Sequence, residues 1–158
     1  LESLSRRKII ALSPNHVRPS IAAFQLALDG VHNIGKLYAI DEKRVYVGGF
    51  GFGGEVAASV LHAYPEVFHG GYLLMGGTLP TTQPLGEDMR LVLMRGQLDK
   101  QSLLETGRAN FEALSRGATT TQVIFITVPG LGHDLPGAAQ FDKGLAALDR
   151  PIAPKQSR

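Results

Sequence analysis

The sequence predicts an α/β fold of three layers, in which a mainly parallel sheet is covered by helices on both faces. Apolar runs rich in Val, Ile and Leu alternate with segments of helical periodicity, a pattern typical of βαβ units. Strands are predicted near residues 8–13, 44–48, 71–75, 89–94 and 122–128, and helices near 21–35, 55–62, 102–117 and 138–149. No internal repeat or linker interrupts this alternation, so we expect residues 1–158 to form a single domain.

The composition is that of a soluble globular protein and excludes several classes of function. The chain has 158 residues, of which 44% are hydrophobic and 19% charged, with a net charge of +2. Its 16 Lys and Arg residues are scattered, and they form no basic stripe of the kind that binds nucleic acid. The absence of cysteine excludes a thiol nucleophile, a disulfide and a cysteine-based zinc site. No apolar run reaches the roughly 20 residues of a membrane span, and both a cytoplasmic and a secreted location remain open.

The segment 46–55 is the most informative part of the chain. Its first residues continue an apolar strand, which then enters a turn with glycines at 48, 49, 51, 53 and 54, and a helical pattern follows. Strand, sharp turn and helix form the context of a nucleophile elbow, whose pattern is G-x-S-x-G. Gly49 and Gly53 occupy the flanking positions, and Gly51 occupies the position of the serine.

Two other predicted strands end in residues suited to acid–base chemistry. In open α/β sheets, ligands bind beyond the carboxyl ends of the strands. Asp99 follows the strand at 89–94, and His133 follows the strand at 122–128 in a glycine-rich loop. The order of the elbow position, Asp99 and His133 is the chain order of an α/β-hydrolase triad.

Between about residue 8 and residue 150 the chain resembles α/β-hydrolases. It is most similar to bacterial esterases of the polyhydroxybutyrate-depolymerase and feruloyl-esterase type. The similar segments are the approach to the elbow at 40–50, its exit at 64–68, and the motifs Gly96-x-x-Asp99 and Gly130-x-Gly132-His133.

This resemblance implies carboxylic-ester hydrolysis without a cofactor. It assigns His133 as the general base, Asp99 as the carboxylate that orients it, and the backbone N–H of Phe52 as an oxyanion donor. In the family order, residues 8–13 match the strand after the loop that supplies the second donor. The chain is therefore expected to be the C-terminal two-thirds of the family fold and to lack the early strands.

Gly51 decides how much of the implied activity this chain can carry. Glycine has no side chain and cannot form an acyl-enzyme, whether it stands there naturally or by engineering. Loss of a triad serine leaves at most about 10³–10⁴-fold catalysis over water. Three interpretations stay open: an impaired esterase-type protein, a non-catalytic ligand-binding or scaffolding module, and a hydrolase or lyase that activates water with His133 and Asp99.

Other candidate residues are less favoured. Asp134 could replace Asp99 as the acid, but it is adjacent to His133 in sequence. The hydroxyl groups nearest the site in sequence are those of Ser13, Ser59 and Thr78, none of which occupies the elbow. The glycines do not fit the G-x-G-x-x-G spacing from Gly49, which makes dinucleotide binding a minor alternative.

The expected partners follow from these interpretations. We expect a small-molecule ester or a similar ligand, no metal, no nucleic acid and no membrane span. If early strands are absent, the strand predicted at 8–13 would be an unprotected edge. Such an edge favours a homo-oligomer formed by pairing of strands.

Overall fold

The structure, a computed structural model, describes residues 2–13, 21–82, 85–86, 88–101, 104–117 and 121–150. The chain divides into two compact units, an N-terminal unit of residues 1–41 and a C-terminal unit of residues 42–158. The single domain expected over residues 1–158 stays a prediction. None of the helices in these described stretches combines the length and the apolar composition that crossing a bilayer requires.

The N-terminal unit contains two helices, α1 (Glu2–Arg6) and α2 (Ile21–Leu37). The helix predicted near 21–35 is thereby confirmed, whereas its expected N-cap, Ser20, lies outside the described residues. Along α2 the side chain of Ala23 is buried and that of Leu26 is 45% exposed.

The strand predicted at residues 8–13 is wrong, because this segment has no regular secondary structure. Instead, Lys8 ends α1 with a left-handed backbone (φ 53°). The N–H of Lys8 donates to Ser5 O at 3.0 Å and the N–H of Ile9 donates to Leu4 O at 3.0 Å, the paired bonds of a Schellman motif. The apolar side chains beyond it are exposed, 48% at Ile10 and 56% at Leu12. The helix cap thus takes the residues at which the strand was expected to begin.

The C-terminal unit alternates strands and helices as predicted. A short 3₁₀ helix (Glu42–Arg44) leads into this series, which is, in chain order, β1 (Tyr46–Phe50), α3 (Phe52–Ala63), β2 (Gly70–Leu74), β3 (Arg90–Gly96), α4 (Leu104–Gly117), β4 (Gln122–Val128) and α5 (Ala138–Leu148). The four strands pair in parallel in the order β1-β2-β3-β4, which confirms the α/β class and the parallel sheet. Helices pack against every strand of this sheet.

Burial is deepest in the two central strands. All residues of β2 are buried, as are six of the seven in β3, while β1 and β4 are mostly half-buried. Leu73, Leu91 and Leu93 are completely inaccessible. Central parallel strands are covered on both faces, which is why they are continuous apolar runs instead of alternating ones.

The register of the sheet brings the candidate positions to one edge. Phe50, Leu74, Met94 and Ile126 pair in one row across the four strands. Because the strands are parallel, the loops after β1, β3 and β4 leave the sheet on the same side of this row. Gly51, Asp99 and His133 belong to these three loops.

Tyr72 joins β2 to α5. Its hydroxyl donates to Phe141 O at 3.1 Å, and a Cβ on Gly144 would overlap that hydroxyl. Burial raises the pKa of the Tyr72 phenol well above its ordinary value, and the charge of Asp142 acts in the same direction.

Candidate active site

Gly51 forms a tight turn between β1 and α3. Its backbone has φ 53° and ψ −120°, a conformation that residues with a side chain adopt only under strain. The N–H of Gly51 donates to Leu74 O at 2.8 Å, and its own carbonyl accepts the N–H of Gly54 at 2.9 Å. The backbone of residues 50–52 therefore has the sharp strand-to-helix turn that the glycine pattern predicted.

Backbone packing around this turn requires some of the glycines and not others. A Cβ on Gly49 would overlap the carbonyl of Gly53, and one on Gly76 would overlap the carbonyl of Gly51. A Cβ on Gly54 would lie 2.8 Å from the carbonyl carbon of Gly76. By contrast, a Cβ on Gly53 would meet nothing within 4 Å. The second glycine of the G-x-x-x-G pattern is thus the one that packing leaves free.

Asp99 and His133 form a hydrogen-bonded pair, although 34 residues separate them. The Nδ1 of His133 lies 2.9 Å from Oδ2 and 3.1 Å from Oδ1 of Asp99. The Asp99 side chain is 0% exposed and that of His133 is 22% exposed. Asp99 Oδ1 also accepts the N–H of Gln101 at 2.9 Å. A carboxylate at Nδ1 keeps the proton on that nitrogen and leaves the lone pair on Nε2.

The free nitrogen of this pair faces the elbow. A Cβ on Gly51 would lie 3.0 Å from Nε2 of His133 and 3.5 Å from its Cε1. The imidazole also packs against Phe50, the residue before the turn, with ring centroids 5.0 Å apart. The structure therefore brings Gly51, Asp99 and His133 together in the order in which a nucleophile, a base and an acid would stand.

Phe52 is the first residue of α3. The first N–H groups of a helix have no intrahelical acceptor, and the positive end of the helix dipole lies there. An oxygen that develops negative charge beside Gly51 would find this donor nearby. The assignment of Phe52 N–H as an oxyanion donor and the identity of a second donor stay predictions.

The loops that carry the acid and the base are tied to each other. Leu98 N–H donates to Leu131 O at 2.8 Å, and Gln97 Oε1 accepts the N–H of Gly130 at 3.1 Å. A Cβ on Gly96 would overlap the carbonyls of Leu131 and Gly132. Sequence analysis singled out neither Gln97 nor this contact, since a glutamine in a loop carries no distinctive pattern.

A second feature missed by sequence analysis is a group that we call the Glu55–Arg95 clamp, formed by Glu55, Gly77 and Arg95. Glu55 Oε1 accepts the N–H of Gly77 at 2.9 Å, and Arg95 Nη2 donates to the carbonyl of Gly77 at 2.6 Å. Arg95 is 1% exposed, and its Nη1 donates to Met94 O at 3.0 Å and to Leu73 O at 3.3 Å. The clamp joins α3, the loop after β2 and the end of β3.

Burial lowers the pKa of the Arg95 guanidinium, while the charges of Glu55 and Asp99 raise it. An arginine remains charged under these conditions because its ordinary pKa is so high. The clamp therefore places a fixed positive charge beneath the acid loop. The one signal for it in the sequence is a charged residue at the end of an otherwise apolar strand.

Three exposed apolar side chains flank the three candidate positions, and we call them the apolar rim. In the described part of the C-terminal unit they are all of the large apolar side chains with high exposure: Phe52 at 59%, Leu98 at 62% and Leu135 at 61%. Phe52 follows Gly51, Leu98 precedes Asp99, and Leu135 is two residues after His133. Solvent-exposed apolar groups next to convergent polar groups are typical of ligand sites.

The alternative candidates lie elsewhere in their local hydrogen bonding. Asp134 Oδ1 accepts the N–H of Leu135 at 2.7 Å, within its own loop. Ser59 Oγ donates to Glu55 O at 2.9 Å along α3. Within the part of the chain that the structure describes, no three His, Cys, Asp or Glu side chains are close enough together to hold a metal ion.

Comparison with known proteins gives a fold through structure alone. No protein-family profile matches the chain, and no curated protein sequence matches it. Solved structures do match. SOBER1 of Arabidopsis thaliana is 22% identical with a TM-score of 0.55, and the match covers 78% of this chain and 60% of SOBER1.

Two further similar structures are enzymes by name. Acyl-protein thioesterase 2 of Zea mays is 18% identical with a TM-score of 0.58, over 87% of this chain and 69% of that one. A carboxylesterase of Bacillus cereus is 18% identical with a TM-score of 0.60, over 80% of this chain and 58% of that one. The likeness shows that the chain has the α/β-hydrolase fold of esterases and thioesterases, in a small and truncated version.

Proposed function

We propose that this chain is the C-terminal part of an esterase-type α/β hydrolase in which Gly51 stands at the nucleophile position. The acid–base pair is retained, and acyl transfer through a serine is absent. The observation that carries the proposal is the distance of 3.0 Å between His133 Nε2 and the Cβ position of Gly51. A base nitrogen at that place serves a side chain that glycine does not have.

The roles of the remaining residues follow from the chemistry of such triads. His133 would accept the proton of a nucleophile through Nε2, and Asp99 would hold the imidazole in the required tautomer and stabilise its charged form. The N–H of Phe52 would donate to the oxyanion of the tetrahedral intermediate. Without the nucleophile, the scaffold retains binding and charge stabilisation but not the covalent step.

The ligand class is a small ester or thioester with an apolar group. The apolar rim supports this choice, because Phe52, Leu98 and Leu135 would lose exposed surface on contact with such a group. The carboxylesterase and the acyl-protein thioesterase among the similar structures are named for acyl substrates of this class.

The test restores the missing hydroxyl. Gly51→Ser should gain hydrolysis of short-chain carboxylic esters, and an organophosphonate probe should label position 51 of that variant only. The new Cβ would make the imidazole shift by a few tenths of an ångström, and the turn would be strained by about 1–3 kcal/mol. The melting temperature should therefore fall while activity rises.

Gly51→Ala is the matched control, because it introduces the same Cβ and the same strain without a hydroxyl. It should be destabilised like Gly51→Ser and gain no serine-type activity. A folded Gly51→Ser variant that is neither labelled nor more active than Gly51→Ala would contradict the proposal.

Two other functions remain candidates on specific observations. A non-catalytic ligand-binding module is supported by the missing nucleophile together with the apolar rim, and it predicts binding of esters without turnover in both the unmodified chain and Gly51→Ser. Water activation is supported by the complete Asp99–His133 pair. It predicts hydrolysis by the unmodified chain that is lost in His133→Asn.

Self-association through a sheet edge is also proposed, with a changed location. Residues 8–13 are not part of the sheet, and β1 is one of its two terminal strands. A terminal strand can pair with a second copy of the chain. Sedimentation at increasing concentration should then show a monomer–dimer equilibrium that a proline at Val47 in β1 weakens, and a concentration-independent monomer would contradict it.

A further inference from the structure

We propose that His133 is itself a nucleophile toward acyl donors with good leaving groups, so that the chain has a slow hydrolytic activity through an acyl-imidazole. This inference rests on the proposed function, because it uses the same elbow and the same acid–base pair. It assigns a covalent role to a residue that otherwise serves only as a base.

The first support is the state of the imidazole. Asp99 engages Nδ1 with both carboxylate oxygens, at 2.9 Å and 3.1 Å, and is itself completely buried. The proton is thereby held on Nδ1, and the lone pair of Nε2 is directed away from the carboxylate. A neutral imidazole with a free nitrogen is a competent nucleophile toward acyl groups.

The second support is the space next to that nitrogen. In a serine hydrolase the serine side chain stands between the base and the substrate, whereas glycine leaves this place open. The Cβ position of Gly51 lies 3.0 Å from Nε2. Reacting atoms in near-attack geometries are about 3–3.5 Å apart. An acyl carbon that takes the place of the missing side chain would thus be within attack distance of Nε2.

The third support is access to the site. The His133 side chain is 22% exposed, so one edge of the ring reaches solvent while the rest is held by Asp99 and Phe50. Phe52 and Leu98 of the apolar rim are available for an acyl chain or an aromatic leaving group. The N–H of Phe52, at the start of α3, can donate to the oxygen of the attacked carbonyl.

The reaction balances without any further component except water. The Nε2 lone pair attacks the carbonyl carbon, a C–N bond forms, and the carbonyl oxygen becomes an oxyanion. Collapse of this intermediate breaks the bond to the leaving group, which departs as a phenolate or thiolate. Asp99 stabilises the positive charge of the acylated ring. Water then adds to the acyl carbon and the C–N bond breaks, which releases the carboxylic acid, a proton and the original imidazole.

The leaving group determines the substrate class. Imidazole is expelled from the tetrahedral intermediate more easily than an alkoxide, so an alkyl ester returns to the starting material. A phenolate or a thiolate departs more easily and carries the reaction forward. We therefore expect turnover of aryl esters and thioesters and no measurable turnover of alkyl esters.

The experiment uses the unmodified chain and two aryl acetates that differ only in their phenol. Acid quenching followed by peptide mass spectrometry should find an acetyl group on His133. Addition of a primary amine should divide the acetyl group between amine and water in one ratio for both esters, since both pass through the same intermediate. Hydrolysis should fall at least about tenfold in His133→Asn, which lacks the nucleophile.

Two further variants test the space and the tautomer separately. Gly51→Ala fills the place next to Nε2, and Asp99→Asn turns the ring so that Nε2 carries the proton; each should lower aryl-ester hydrolysis at least about tenfold. The melting temperature of each variant shows whether it is folded. If Gly51→Ala does not fold, Asp99→Asn still decides.

Several outcomes would overturn the inference. They are the absence of an acetyl group on His133 during turnover, a product ratio that changes with the leaving phenol, and full activity in Asp99→Asn. The proposed function fails differently, through the lack of any gain in Gly51→Ser. An acetylated His133 without that gain would leave this inference standing alone, and the gain without an acetylated His133 would leave only the proposed function.

Discussion

The elbow and the acid–base loops form the two halves of the same site, and they differ in what holds them. The elbow depends on backbone packing, in which Gly49, Gly54 and Gly76 are needed because their neighbours leave no room for a Cβ. The acid–base half depends on side chains, with a completely buried Asp99 bonded to His133. One half is complete in shape and lacks its reacting group, and the other contains its groups.

This difference shows which features of a site report on chemistry. The glycines of the elbow would be required by packing whether or not a nucleophile were present, so their presence says little about catalysis. A buried carboxylate bonded to a half-exposed imidazole costs desolvation energy that packing alone does not demand. The acid–base pair is therefore the more informative half.

The largest effect should come from Gly49→Ala. Its Cβ would overlap the carbonyl of Gly53, and both atoms belong to backbone that cannot move independently of β1 and α3. We expect a loss of at least about 3 kcal/mol in the free energy of unfolding, measured by urea denaturation. A loss below about 1 kcal/mol would mean that the elbow is more adaptable than this comparison assumes.

Arg95→Met should have the next largest effect, because the clamp links the two halves. The substitution removes hydrogen bonds to three carbonyls, including that of Gly77, while relief from burying a charge offsets part of the cost. We expect a net loss of about 2–3 kcal/mol, measured in the same way. Arg95→Lys, which keeps the charge, should fall between the two. A variant as stable as the unmodified chain would show that the clamp holds nothing.

Tyr72 offers a reference outside both halves, through the pH dependence of stability. Its pKa is raised in the folded state by burial, so the folded protein retains the phenol proton when the unfolded chain begins to lose it. Stability is therefore fully present below about pH 10 and is lost as the pH rises toward the folded pKa, by up to about 1.4 kcal/mol per pH unit. Tyr72→Phe should flatten this slope by one proton in urea titrations at several alkaline pH values. An unchanged slope would assign it to other groups, such as the half-buried Tyr46, whose pKa burial also raises.

Asp99→Asn should cost about 1 kcal/mol or less, since the isosteric amide can still accept the N–H of Gln101. The effect to look for is in the ring: ¹⁵N chemical shifts should show the proton of His133 moving from Nδ1 to Nε2. Unfolding of this variant would mean that the acid–base half is needed for stability as much as the elbow is.

Gly53→Ala should have the smallest effect and the opposite sign. The position is helical, and a Cβ there meets nothing within 4 Å. Alanine should therefore stabilise α3 by about 0.5–1 kcal/mol. Calorimetric melting of this variant beside Gly49→Ala compares the two glycines of one motif, and equal losses in both would remove the distinction drawn above.

The sequence was sufficient for the sheet from residue 44 onward and for the meeting of three distant positions. Parallel strands covered on both faces are apolar along their whole length, and this property is visible in the chain. The order of Gly51, Asp99 and His133 then placed them at one edge, because parallel strands end on the same side. Whether the predicted roles of these residues are performed remains for the experiments above.

The failures of sequence analysis have physical causes. The apolar residues 8–13 were read as a strand, but the cap of α1 uses Lys8 and Ile9, and capping bonds between backbone groups leave no mark in the residue types. Arg95 and Gln97 were missed because their contacts are with backbone carbonyls and N–H groups, which every residue has. Gly53 was counted as part of the elbow because a sequence does not show which glycines lack room.

Met75 gives the site a chemical reporter of its own opening. This residue follows β2 with a left-handed backbone (φ 48°), and its sulfur accepts the N–H of Gly96 at 3.0 Å. All three methionines of the chain are at most 1% exposed, so peroxide can reach their sulfurs only when the structure opens. The rate at which Met75 becomes its sulfoxide, compared with those of Met89 and Met94, would measure how often the floor beneath the acid loop separates from the rest of the sheet.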